Sequence, residues 1–406
     1  MKHAIYIATR SPFGQLTGRK AVIKTQLKYL QTRFSSLTLL SFEDIDNPET
    51  ICNHYLPLKR PGLIRVLFNI FSYFLLGKKS INECLYYNPH NFKLIKKRLG
   101  NQRFNVAFFD MLRTGYLARS INYEISVMDL DDLLSNRYKQ YIEDNISLKI
   151  TLGYYNKYIP NLLIPFGKLF TRCLLLRELS ILSKKEVNIP ATFDIVSLVS
   201  PKECKNYYYK TSCPAHSFPM AFAEGCNIFG KSSRKEYFVF LGGLNYSPNY
   251  EGIKWLSQMY KEHTELRTNF RIYVIGAYEE QQLLKLDQIH FKYLGYIEDI
   301  DTIIKHSKGL IAPIISGTGV KTKIVECMSK GVPIITTDLG MEGIEYEDGI
   351  NCLIFNDAAS LASVLHVASN PTHASKLSSG AFLTYKRQFS ESVVFNKWDN
   401  ILASAK

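Results

Sequence analysis

No C-x-x-C pair and no Cys/His cluster occurs among the eight cysteines, Cys52, Cys84, Cys173, Cys204, Cys213, Cys226, Cys327 and Cys352. This excludes a zinc site of the usual spacing. Scattered thiols read as reduced residues of a cytoplasmic protein, each a small buried hydrophobe. No stretch of about 18 uncharged apolar residues exists, so no spanning helix is expected. The first apolar run, Ala4-Ile5-Tyr6-Ile7-Ala8, ends at Thr9-Arg10-Ser11-Pro12. It is too short for the core of a signal peptide and reads as a buried first strand. Low-complexity tracts are absent. Acidic charge is scarce in one half only. Residues 1–200 carry 28 Lys/Arg against 15 Asp/Glu, net +13, whereas residues 201–406 carry 22 against 21. That asymmetry implies an anionic partner for the first half, nucleic acid or an anionic membrane. The half has no interleaved aromatic–basic motif, so nucleic acid is the weaker reading.

A chain of 406 residues with 46% hydrophobic and 21% charged residues is too long for one core and suits two domains of about 150–200 residues. In the second half, β-rich runs at 237–241, 271–275, 291–294, 309–313, 332–337 and 351–355 alternate with helical patterns at 250–263, 300–306, 321–330 and 358–368. Apolar strands alternating with helices predict a parallel, doubly wound α/β sheet. Ligands of such sheets bind beyond the carboxyl ends of the strands. Gly242, Gly243, Gly276 and Gly295 stand at those ends.

The first half is also α/β, with strands expected at 4–8, 37–40, 105–110, 123–129 and 193–200. The loop 12–18, with Gly14 and Gly18, fits an acceptor-side loop or a plain turn. The polar stretch 223–236 is the best linker. It divides the chain into domains 1–222 and 223–387, and the last helix, 388–406, is a candidate to pack back on the first. Asp129 ends an apolar strand and is a candidate for orienting a substrate. Helix capping by Asp129 or Asp131 is the competing reading, and Asp110 has a similar, weaker position. Two segments, 59–79 and 156–172, are apolar stretches bracketed by cations. Each fits a membrane-interface segment or an ordinary core helix with basic flanks.

The richest stretch is Ala312-Pro313-Ile314-Ile315-Ser316-Gly317-Thr318-Gly319-Val320-Lys321-Thr322-Lys323-Ile324-Val325-Glu326-Cys327-Met328. A strand ends, a small-residue loop turns and a helix begins. Glycines let backbone approach a ligand, and a helix N-terminus favours an anion. Lys321 and Lys323 are out of place in a first helical turn unless an anion sits there; a surface loop with solvated lysines is the competing reading. Glu326, further along the helix, could accept two hydrogen bonds from a vicinal diol, although spacing alone favours a solvated helix glutamate.

This block, continued by Gly331-Val332-Pro333-Ile334-Ile335-Thr336-Thr337, resembles the C-terminal signature of glycosyltransferase family four, G-x-G-x-K-x-K-(aliphatic)2-E-(A/C)-M. The upstream run 240–253 is similar to the G-x-(L/M)-x-(Y/W)-x-P-N-x-x-G-I opening of part of that family. The resemblance implies a GT-B architecture, two Rossmann-like domains facing across a cleft, and a retaining glycosyltransferase using a nucleotide-diphosphate sugar. It implies that Gly317, Thr318, Gly319, Val320, Lys321 and Lys323 hold the donor diphosphate. Glu326 would hold the ribose, Gly242, Gly243, Asn245 and Gly276 would approach the phosphates, and Tyr296 would lie near the base.

Lys323 and Asp129 are the implied catalytic groups. Asp129-Leu130-Asp131-Asp132, Ser135, Arg137 and Tyr138 are similar to a pattern in relatives. Two departures stand out. Many relatives have a glutamate where Thr318 stands, eight positions before Glu326, and an Arg-x4-Lys pair where Asn245–Tyr250 stand. No isolated D-x-D argues for a metal, so neither a tightly bound cofactor nor an obligatory metal is expected. The acceptor implied is a glycan, often polyprenyl-diphosphate-linked, with peripheral inner-membrane contact through the basic half. A non-catalytic sugar-nucleotide-binding or scaffold protein is the alternative, motivated by Thr318.

Overall fold

The structure is a computed structural model, and it describes residues 2–14, 18–143, 167–223, 235–317 and 319–405. Thr318, most of the 223–236 linker and residues 156–166 of the second apolar segment lie outside the described residues. The chain divides into two compact units, Met1–Phe218 with Asp399–Lys406, and Pro219–Trp398.

The first unit is built on a seven-stranded sheet of β1 (His3–Ala8), β2 (Ser36–Ser41), β3 (His54–Pro57), β4 (Arg103–Asp110), β5 (Asn122–Asp129), β6 (Ile195–Leu198) and β7 (His216–Ser217). Its order is β3-β2-β1-β4-β5-β6-β7, and each neighbouring pair is parallel. Buried Ile5, Ile7, Ala107, Phe109 and Met128 belong to one core on this sheet. Both faces of a parallel sheet are covered, which is why these strands read as continuous apolar runs.

The second unit has a six-stranded sheet of β8 (Tyr237–Leu241), β9 (Arg271–Ile275), β10 (Phe291–Gly295), β11 (Leu310–Ala312), β12 (Ile334–Thr336) and β13 (Leu353–Ile354). Its order is β10-β9-β8-β11-β12-β13, again parallel throughout. The six expected strands are all present, although the last shortens to two residues. The helix expected from 250 begins earlier, at Ser247, because Pro248 sits in its first turn, where a missing N–H costs nothing. Gly252 lets this helix press on the end of β11, since a β-carbon there would collide with the Pro313 carbonyl oxygen.

Strand order reverses between β1 and β4 in the first unit and between β8 and β11 in the second. These are the switch points where doubly wound sheets open a crevice. In the first unit that point is filled. Arg19, from the helix Gly18–Arg33, is fully buried there. Its guanidinium pairs with Asp110 at the end of β4, with Asp129 at the end of β5 (2.8 Å), and with Asp131 (3.2 Å). Asp110 also accepts bonds from the Thr9 N–H and hydroxyl. Asp129 accepts further bonds from Gln26 Nε2 (2.7 Å) and Ser197 Oγ (2.9 Å). Burial pushes Asp110 up, but Arg19 and Thr9 outweigh it and hold the carboxyl below its ordinary value. At Asp129 burial wins over Arg19 and the pKa is raised.

This corrects the expectation that Asp129 and Asp110 present carboxylates to a substrate. Both are shut in, and their oxygens are spent on the protein. Nor do Asp129 or Asp131 cap the next helix among the described hydrogen bonds: Asp129 accepts the Asp131 N–H (3.4 Å) ahead of it, Asp131 pairs with Arg19, and Glu203 and Glu186 accept the N–H groups of Leu133 and Ser135 at its start. Arg19→Met removes the cation that pairs the three aspartates among the described residues and should cost about 3–5 kcal/mol in denaturant unfolding. Adding Asp129→Asn should recover part of that loss.

Candidate functional site

The switch point of the second unit is built differently. Gly242 and Gly243 follow β8, and Gly276 follows β9. The Gly242 N–H donates to the Ile275 carbonyl, and the Leu244 N–H to Ala277. Gly276 lies at φ 148, and a β-carbon there would run into the Gly242 carbonyl group and come within 2.6 Å of the Gly243 nitrogen. Only glycine allows the two loops to lie so close.

Beside these glycines rises the helix Thr322–Ser329, with Lys321 at its N-cap and no side chain capping it. Lys323, in its first turn, brings its ammonium to Asn249 Oδ1 at 2.8 Å and to 4.4 Å from the Phe240 ring centroid. The Asn249 amide is oriented by donating Nδ2 to the Gly243 carbonyl (2.9 Å), so its oxygen must face Lys323. A β-carbon on Gly242 would lie 2.9 Å from the Lys323 nitrogen, so the glycine makes room for the ammonium. Desolvation, with Lys321 nearby, pushes Lys323 down to about 7. Its described contacts supply a dipole and a π-face, but no carboxylate.

The loop before the helix is open. Gly317 and Gly319 have φ 98 and φ 77, and a β-carbon on either would meet nothing within 4 Å. Lys321 folds back on this loop, donating to the Gly319 carbonyl (2.5 Å) and lying 3.4 Å from that of Gly317. Glu342 approaches from the segment after β12. Its Oε2 accepts the Gly319 N–H at 3.0 Å and stands 3.8 Å from Lys321 Nζ. Val320 is buried beneath the loop.

The structure therefore gathers Gly242, Gly243, Gly276, Lys323, Gly319 and Lys321 at one end of one sheet. Asn245 is exposed in the loop after Gly243. Tyr296, exposed after Gly295, follows the far edge strand β10. Glu326 accepts a bond from Lys330 (3.1 Å), which also holds Asp301 (2.6 Å). Gly14 and Gly18 belong to the first unit; Gly14 takes φ 83 at a turn, and Gly18 opens the Arg19 helix. Sequence reading missed Asn249 and Glu342 as neighbours of these lysines, although Asn249 lies inside the 240–253 run. Their roles depend on which loop each side chain reaches, and spacing does not carry that.

The lowered pKa has a consequence for stability. An unfolded lysine titrates near 10.4, so between pH 7 and 10 the unfolded chain holds the extra proton and stability rises with pH. The cost of charging Lys323 is thus fully present below pH 7. Lys323→Met should stabilise the second unit by roughly 1–3 kcal/mol at pH 6 and by little at pH 10, as read from denaturant unfolding at both pH values.

Residues 235–368 match the family model Glycosyl transferases group 1. A 44.6 kDa protein of the cps region of Klebsiella pneumoniae is 21% identical over 232 residues, covering 53% of this chain; the chain spans 57% of that relative's length. Among solved structures, Anabaena HepE in complex with UDP-glucose aligns over 100% of both chains at 12% identity and TM-score 0.64. Sucrose-phosphate synthase of Thermosynechococcus elongatus aligns over 100% of this chain and 99% of its own at 12% identity and TM-score 0.67. TarM of S. aureus, in complex with UDP, fondaparinux and α-GlcNAc-glycerol, aligns over 99% and 100% at 8% identity and TM-score 0.60. At these identities the likeness is one of fold. The chain has the fold seen in GT-B glycosyltransferase structures, and residues 235–368 of its second unit are similar to the glycosyl transferases group 1 family.

Proposed function

We propose that the protein is a retaining glycosyltransferase that moves a sugar from a nucleotide-diphosphate sugar to a hydroxyl of a glycan in cell-surface polysaccharide synthesis. The observation that carries this reading is Lys323, a desolvated ammonium with no carboxylate partner among its described contacts, in a glycine-lined nook at the switch point. Such a group is stabilised by an incoming anion. The Gly319 N–H, the uncapped start of the 322–329 helix and Lys321 are the further donors. The bond from the anomeric carbon to the diphosphate breaks as that to the acceptor oxygen forms, and the acceptor proton leaves with the diphosphate or to solvent. Lysines and a helix N-terminus neutralise charge growing on the leaving diphosphate without an obligatory metal. The UDP-glucose bound by HepE and the cps-region relative support the donor class and the pathway class, and the family-four resemblance supports retention. Thr318 favours the alternative, a non-catalytic sugar-nucleotide-binding or scaffold protein. Release of nucleoside diphosphate from a sugar nucleotide would eliminate it.

Titration calorimetry against UDP, GDP, ADP and dTDP tests the reading. One of them should bind, and Lys323→Met should lose at least about tenfold in affinity. Binding charges Lys323, so above pH 7 it takes up a proton, and affinity should fall by up to about tenfold per pH unit. Affinity that is flat between pH 6.5 and 9 would contradict this.

The acceptor we propose is polyprenyl-diphosphate-linked, met by peripheral contact with the cytoplasmic face of the inner membrane. Support comes from the segment Leu63–Phe74, helical and then a π-turn. Leu63, Ile64, Leu67, Phe68, Phe71, Leu75 and Leu76 are all more than half exposed, Ile64 by 86% and Phe71 by 73%. Residues 59–79 include five Lys/Arg and no acidic residue. That pattern suits the headgroup boundary of an anionic bilayer. Among the described residues no helix is long and apolar enough to cross a membrane. The protein should sediment with phosphatidylglycerol vesicles and much less with phosphatidylcholine, and Ile64→Glu with Phe71→Glu should abolish the difference.

A further inference from the structure

We infer that Glu342 is the site's internal stand-in for phosphate, and that a bound donor displaces it onto the hydroxyls of the transferred sugar. This rests on the donor reading above. The glycine loop 316–321 contains no acidic residue of its own. Glu342 brings one to it from the segment after β12, with its side chain largely buried, 14% exposed. Its Oε2 accepts the Gly319 N–H and stands near Lys321. These are two of the donors assigned to the diphosphate. A carboxylate and a diphosphate cannot share them, because both are anions and the N–H has one hydrogen to give.

Ligand-free, the arrangement is self-consistent. The carboxylate satisfies a backbone donor that the open bend would otherwise leave to solvent, and it offsets the Lys321 charge. Gly343 follows at φ 81, and the Ile344 N–H returns to the Met341 carbonyl (2.9 Å). The backbone on either side of Glu342 is thus tied down, which leaves side-chain rotation as the means of release. When phosphate takes the Gly319 N–H, a carboxylate turned away by a few ångströms stays close to the atom bonded to that phosphate, the anomeric carbon. There it can accept from one or two sugar hydroxyls. Glu342 is thus a positioning residue with opposite effects on the two halves of the donor, repelling the diphosphate and attracting the sugar.

Glu342→Gln separates these effects. The amide oxygen still accepts the Gly319 N–H, so the loop is kept, but the charge is gone. The tightest-binding nucleoside diphosphate of UDP, GDP, ADP and dTDP should bind about 3–30-fold more tightly to the variant. The matching sugar nucleotide should gain less, and its acceptor-free hydrolysis should slow by about tenfold or more in kcat. Glu342→Ala should shift in the same directions, with thermal unfolding confirming that both variants are folded. A merely structural Glu342 would weaken both ligands together. If the wild type binds the nucleoside diphosphate and Glu342→Gln binds it no more tightly, this inference is overturned alone. If the wild type binds none of the four, the donor reading falls and takes this inference with it.

Discussion

The proposed site depends on a positive charge that meets no counter-ion among the described residues. Lys323 is carried on the first turn of a helix, where the dipole already opposes it, and is enclosed by a ring, an amide and a glycine. Folding the chain places it there because the hydrophobic face of the same helix, Ile324, Val325, Cys327 and Met328, is buried against the second unit's sheet. Packing of the apolar face thus forces the charged side chain into the nook. The destabilisation this causes is the reserve that an anion would release.

The two sheets handle the same topological opportunity in opposite ways. Each reverses its strand order and so opens a crevice at its carboxyl end. In the first unit Arg19 fills that crevice, with three aspartates around one guanidinium. In the second unit glycines keep the crevice open and the ammonium lacks a carboxylate partner among its described contacts. A paired buried charge holds an element in register, whereas an unpaired one selects for a ligand. On the proposed reading this contrast puts the chemistry in the second unit and leaves Asp129 as an organiser of the first.

Much of the fold was legible. Continuous apolar runs such as 237–241 and 271–275 carry their own strand assignment, and recurrent strand-end glycines mark the ligand edge. The loop and helix at 312–328 read as an anion site because lysines there defy helix electrostatics. Three features were not legible. Arg19 looked like one cation among 28 in a basic half, and only the parallel pairing of β1, β4 and β5 brings Thr9, Asp110 and Asp129 to it. Asn249 lies just before the helix expected at 250–263, and its contact with Lys323 crosses 74 positions. Glu342 reaches the glycine loop from a turn 23 residues away. Each is a side-chain contact between segments distant in sequence, which periodicity and propensity do not encode.

The central claim is that Lys323 is a desolvated cation awaiting an anion. An NMR titration of lysine labelled at the ε-carbon, with Lys323→Met to assign the resonance, tests it most directly. The account predicts one lysine titrating at about 7 in the ligand-free protein and moving up by at least about two pH units when a nucleoside diphosphate is bound. A Lys323 that titrates near the ordinary value of about 10.4 in both states would contradict it.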